Sequence, residues 1–298
     1  AIVACLPHMT WGSYILEVQK VFKKRSVQSD AWLRCLCYLV IYMNDVNSKS
    51  LAPSMVTPET KSSAVLYLRS NILPFMETQM ICEEGVSNKG VVRPVVAHAA
   101  CAIICAIDTV DREHLFHKLV VRIADAFKSR SQKVRDAGRN AFVKIGSLAP
   151  PKMIAFAIDV LSRQLNKGFT RHVRKAVVFS ILKSCLKRFT DSDFGDILPA
   201  IIQIINDDIF GEPEGKEHDV DFRNSAYKEA RKAYDMQIII QVFSRVYDCE
   251  TMVFAMKPIS MCMSQQLTSS MGMKLKLFLE SLRRGIAMNT LISRQTII

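Results

Sequence analysis

The dipeptide Val-Arg returns along this chain at nearly constant intervals, and that period limits the folds open to it. Val92-Arg93 opens VRPVVAHAACAII, Val134-Arg135 opens VRDAGRNAFVKIG 42 residues later, and Val173-Arg174 opens VRKAVVFSILKSC after a further 39. Each run continues with apolar residues three and four apart, the spacing that lines one side of a helix. A helical signature recurring every forty or so residues marks stacked hairpins, because each hairpin buries its apolar face only against its neighbours. The expected fold class is all-α, an α-solenoid of stacked antiparallel helix pairs. Residues 1–298 are expected to form one continuous segment of it, with mobile loops near 47–63 and 210–221.

The rest of the chain fits further hairpins. Trp11–Arg25 has Tyr14, Ile15, Val18, Val21 and Phe22 on one side, and Ala31 to about Val46 is apolar enough to be a buried helix. Ala64–Met80 reads as a helix broken at Pro74, and Gly85–Gly90 as a turn. Asp111–Phe127 is expected to be the outer helix of a hairpin whose second helix carries Val134, Ala137, Ala141 and Ile145 inward, ending where Gly146 turns left-handed. Pro150-Pro151 opens the next helix, closed by Asn166-Lys167-Gly168. The helix after it turns Val173, Val177, Ile181, Cys185 and Leu186 inward. Ser192–Phe210 is again helical, Phe222 onward gives one or two helices, Ala255–Met273 is Met-rich, and a last helix carries Arg283-Arg284.

Charge is concentrated in one stretch. From Arg122 to Arg188 there are sixteen Lys or Arg and three acids (Asp125, Asp136, Asp159), a balance of +13. The whole chain is +12, so all the remaining residues sum to −1. Cations expected on the outer faces of successive hairpins would stack into a stripe able to neutralise phosphates and release counterions. The candidate nucleic-acid contacts are Lys128, Arg130, Lys133, Arg135, Arg139, Lys144, Lys167, Arg171, Arg174, Lys175, Lys183, Lys187 and Arg188.

Other chemistries find little support. The predominantly apolar run Val95–Ile107 is too short to cross a bilayer, and the start of the chain shows no secretory leader. The chain reads as a slice of a longer protein, and no membrane partner is expected. Its nine cysteines are odd in number, sit mostly in apolar helical runs, and lack CxxC spacing, which favours free buried thiols in a reducing compartment. His114 and His117 lie three apart, yet no second pair follows, so no metal is expected. The Gly85–Gly90 spacing has Val91 where a phosphate loop needs Lys. Seven acids between Asp207 and Asp221 lack the spacing of a calcium loop. GxSxG, HExxH and phosphate-loop signatures are missing, so neither an enzyme, a cofactor nor a small-molecule substrate is expected.

The pattern Val134-Arg135, Ala137, Ala141, Phe142, Ile145-Gly146 resembles the second helix of a HEAT repeat. More specifically, four segments resemble the Utp-twenty family, also called "down-regulated in metastasis" (DRIM). They are Leu6–Phe22, Ser129–Val173, Asp196–Glu212 and Tyr227–Val246, and NDDIFGE within the third is the most specific. The segment RHVRKAVVF (Arg171–Phe179) is more basic than the family pattern. The resemblance implies a HEAT-repeat scaffold of the nucleolar small-subunit processome, located in the nucleus and nucleolus. Its implied partners are pre-ribosomal RNA, U-three small nucleolar RNA, assembly factors and ribosomal proteins, during 18S rRNA maturation. The alternatives are a HEAT-repeat nuclear transport receptor, which should be acidic where this chain is basic, and a protein–protein scaffold without direct RNA contact.

Overall fold

In the computed structural model of the chain, the residues described are 33, 34, 36–38, 40, 41, 65–83, 90–107, 109–207, 233–264 and 268–290. The expected loops at 47–63 and 210–221 and the helix Trp11–Arg25 lie outside them, as do most of the acids between Asp207 and Asp221. Of the second expected helix, the described residues between 33 and 41 are helical, with Leu33, Leu36, Cys37 and Val40 buried. Except for one short ladder, the regular structure among the described residues is helical, as the repeat requires. They fall into two compact units. The first runs to Ala126 and resumes over Asp136–Ala149; the second takes Phe127–Arg135 and everything from Pro150.

In the first unit a π-helical turn, Leu68–Ile72, leads into α1 (Leu73–Gln79). Pro74 therefore does not break the helix. It lies in the first turn of α1, where its missing N–H is no loss, and the widened turn before it relieves the clash a proline makes with the preceding turn. Two-residue strands β1 (Ile81–Cys82) and β2 (Val91–Val92) then pair antiparallel, Ile81 opposite Val92. Gly90, at φ +78°, makes the turn into β2 and donates its N–H to the Cys82 carbonyl at 2.8 Å. Helix α2 (Pro94–Ala106) packs on α1 and on α3 (Thr109–Ala124), which tightens into a 3-10 turn, Asp125–Lys128. The small side chains of α2, Ala97, Ala99, Ala100, Cys101 and Ala102, are buried on several sides, so neighbours approach closely all round it. Helix α4 (Gln132–Gly146) buries Val134, Ala141, Phe142 and Ile145. Gly146 is not left-handed as expected; positive φ among the described glycines occurs at Gly90 and Gly168.

The second unit holds α5 (Pro151–Gln164), α6 (Phe169–Cys185), α7 (Asp191–Ile205) and α8 (Tyr234–Phe243). Short helices α9 (Cys249–Ala255) and α10 (Lys257–Met263) and the long α11 (Ser269–Met288) follow. Helix α5 packs chiefly on α7, and α6 on α8. These are two layers of like helices, the arrangement that lets a stack of hairpins bury a continuous core. Val177, Ile181 and Leu182 of α6 and Ile238, Ile239 and Val242 of α8 are all buried. Gly168, at φ +51°, supplies the backbone turn from α5 into α6 that a residue with a Cβ rarely adopts. Thr190 and Asp193 cap the start of α7 reciprocally, and Asp248 and Thr251 do the same for α9. The carboxyls of Asp193 and Asp248 are held below the usual range by the backbone N–H groups of Thr190 and Thr251.

Candidate nucleic-acid interface

The recurring arginines have a shared structural role. Arg93, just ahead of α2, directs Nη1 to the backbone carbonyl of Gln79, the last residue of α1, at 3.2 Å. Arg135, in the first turn of α4, directs Nη1 to the carbonyls of Ser129 and Arg130, both at 2.9 Å, and Nη2 to the Gln132 side chain. Arg174 of α6 directs Nη1 to the carbonyl of Ser162, in the last turn of α5, at 3.1 Å. Each guanidinium binds carbonyls of the chain that leads into its own helix. A helix end leaves such carbonyls without intrahelical partners, and a planar fork of donors suits them. The helical context varies, since Arg93 precedes its helix while the other two lie inside theirs.

That role corrects the expectation that these arginines face outward. Arg135 and Arg174 are both 2% exposed, among the few buried charged side chains of the described residues. Burial of a cation is tolerable only with hydrogen bonds to replace water, and the carbonyls provide them. Other candidates are also engaged inside the fold. Arg171 donates to the Asp207 carbonyl at 3.1 Å. Lys175 reaches Asp235 of α8 at 3.5 Å. In the first unit, Arg139 pairs with Asp136, and half-buried Lys144 lies near His98. Burial and then the Lys144 charge hold the His98 imidazole below its ordinary pKa.

Seven candidates remain exposed, and all lie in the second unit: Lys128, Arg130, Lys133, Lys167, Lys183, Lys187 and Arg188. They form no even outer face on α6. Lys167 precedes its first turn, whereas Lys183, Lys187 and Arg188 cluster at its end. At about 1.5 Å per residue the two groups are about 25–30 Å apart. Lys183 and Lys187, four apart, project from one side. The Arg188 guanidinium lies 4.8 Å from the centroid of the Phe189 ring. Five of the seven are lysines, whose compact, strongly hydrated charge gains little from burial.

Lys152, Lys276 and Arg283 are exposed as well, although none of them was among the candidate contacts. It also missed Arg245, which donates to the Phe189 carbonyl at 2.9 Å and lies 3.5 Å from Asp191. His114 and His117 are exposed on α3, and no group of residues able to hold a metal occurs among the described residues. The Sγ atoms of Cys101 and Cys105 lie 3.9 Å apart. No described helix is long and apolar enough to cross a membrane.

The family model described as "U3 small nucleolar RNA-associated protein 20 domain" matches residues 83–298, well over half of the chain. The U3 small nucleolar RNA-associated protein 20 of Saccharomyces cerevisiae is 29% identical over 145 residues, 48% of this chain and 6% of the yeast protein. Its namesake from Schizosaccharomyces pombe is 27% identical over 165 residues, 54% of this chain and 6% of that protein. The matched stretch thus spans a small fraction of either relative's length.

Proposed function

We propose a function from one premise: the chain belongs to the U3 small nucleolar RNA-associated protein 20 family. It acts as one continuous length of a larger HEAT-repeat solenoid that serves, without catalysis, as a scaffold of the nucleolar small-subunit processome. There it holds pre-ribosomal RNA and assembly factors while 18S rRNA matures, with U3 small nucleolar RNA among its neighbours.

The observation that carries the RNA part of this reading is that seven of the candidate cations are exposed, all in the second unit. Phosphate contacts of this kind give affinity with little sequence preference, which suits a scaffold on a folding RNA. Arg135, Arg174 and Lys175 are left out of the contact set, because the fold already engages them.

Crosslinking within the intact assembly tests it. RNA adducts are expected at Lys128–Lys133 and at Lys183–Arg188, and not at Arg174. Adducts confined to other parts of the chain, or an assembly from which the protein is absent, would overturn the reading.

A further inference from the structure

The connection between α3 and α4 carries an unusual density of cations. From Phe127 to Arg135 there are four, Lys128, Arg130, Lys133 and Arg135, and no acid. The first three are exposed, and the fourth is buried. Arg135 draws the carbonyls of Ser129 and Arg130 onto one nitrogen, Nη1. Two consecutive carbonyls can converge on one donor only if the backbone bends around it. The bend is reinforced where the Ser131 N–H donates to Ser129 Oγ at 3.2 Å, and where the Arg135 N–H donates to the Ser131 carbonyl at 3.2 Å. The outcome is a bent segment running from the 3-10 turn into the first turn of α4, its carbonyls at Ser129 and Arg130 turned toward a buried guanidinium and its Lys128, Arg130 and Lys133 side chains exposed.

We propose that Lys128–Lys133 is an RNA phosphate-binding loop and that Arg135 is the residue that positions it. This rests on the RNA-scaffold reading above and assigns it a specific contact. A backbone already bent around Arg135 leaves less ordering to do when the three exposed cations meet phosphates. Arg135 touches no RNA. Its effect passes through the two carbonyls, and a lysine there keeps the charge while losing the planar fork that engages Ser129, Arg130 and Gln132 together.

The test measures binding of the full 298-residue chain to a mixed-sequence single-stranded RNA oligonucleotide across a series of salt concentrations. Four proteins are compared: wild type, Lys128→Ala/Arg130→Ala/Lys133→Ala, Arg135→Lys, and the four substitutions combined. The triple variant should bind more weakly, with a log–log salt slope shallower by about 2, the share of three single-strand phosphate contacts. Arg135→Lys should weaken binding without removing a charge, yet add nothing further in the triple background, since the loop it positions has lost its contacts. Wild-type binding that the triple variant matches would overturn the loop while leaving the scaffold reading intact. Failure of the wild type to bind RNA would overturn both. A full additional loss from Arg135→Lys in the triple background would overturn the positioning role alone. Circular dichroism of each variant identifies any that fail to fold, and the triple variant, altered only at exposed positions, still decides the loop if Arg135→Lys is one of them.

Discussion

Arg174 and Lys183 share helix α6 and end in opposite environments, one 2% exposed and bonded to a backbone carbonyl, the other in solvent. Residue type and register decide the difference. The guanidinium is weakly hydrated and geometrically matched to open carbonyls, and the ammonium is neither. Sequence periodicity alone marked both as off the apolar stripe, so it could not separate a buried arginine from a solvated lysine. It did identify the apolar partners on the same helix. Leu182 is fully buried, and Leu182→Ala should cost about 2–5 kcal/mol in urea unfolding; a change near zero would contradict the packing of α6. The neighbouring thiol of Cys185 is likewise informative. Burial pushes it up to about 12 from 9.0, and burial pushes Cys37 up to about 12 as well. A thiol that is harder to ionise in the folded state stabilises the fold fully below pH 9, and that contribution is lost as pH rises from about 9 through about 12. Both should therefore resist alkylation in the native protein at pH 8 and react once it unfolds. Rapid native labelling at either would contradict their burial.

Among the elements, α11 approaches α8 closely at a glycine. A Cβ at Gly285 would sit 2.7 Å from Phe243 Cβ and 2.8 Å from the Ile240 carbonyl oxygen, both on α8. Close approach also sets the Phe243–Phe278 edge-to-face contact, with ring centroids 6.1 Å apart. Gly285→Ala must push the helices apart or strain α8, at a cost of about 1–3 kcal/mol. Thermal unfolding checks this, and an unchanged or raised midpoint would mean that α11 does not pack as described. The helices themselves were legible in the sequence, since apolar spacing and Pro151 mark them, although the Thr190–Asp193 cap that starts α7 just ahead of the expected Ser192 emerged only in the structure. The exceptions have local causes. The two-residue ladder Ile81–Cys82 with Val91–Val92 is too short for an alternating pattern to show. Pro74 joined a helix because a π turn precedes it. Gly146 kept a right-handed conformation because a glycine permits the left-handed one without compelling it.

For the molecule as a whole, the Val-Arg period announced the helical repeat, and the local excess of charge is what motivates the proposed RNA partner. What the period could not convey is that its own arginines tie each helix to the chain before it, which removes Arg135 and Arg174 from the surface they seemed to define. The basic character falls instead to exposed side chains at the ends of α6 and in the connection before α4. Charge reversal at Lys183, Lys187 and Arg188 together should therefore weaken RNA binding while leaving thermal unfolding nearly unchanged, whereas Arg174→Glu should unfold the second unit by burying an acid among carbonyls. A folded Arg174→Glu protein with selectively weakened RNA binding would reverse that assignment. The central claim, that exposed cations on a helical scaffold hold RNA by its phosphates, is tested most directly by the salt dependence of RNA binding by the wild-type chain. With about six of the seven exposed cations engaged on single-stranded RNA, the log–log slope should be near −4. A flat salt dependence, or no measurable binding at low salt, would contradict it.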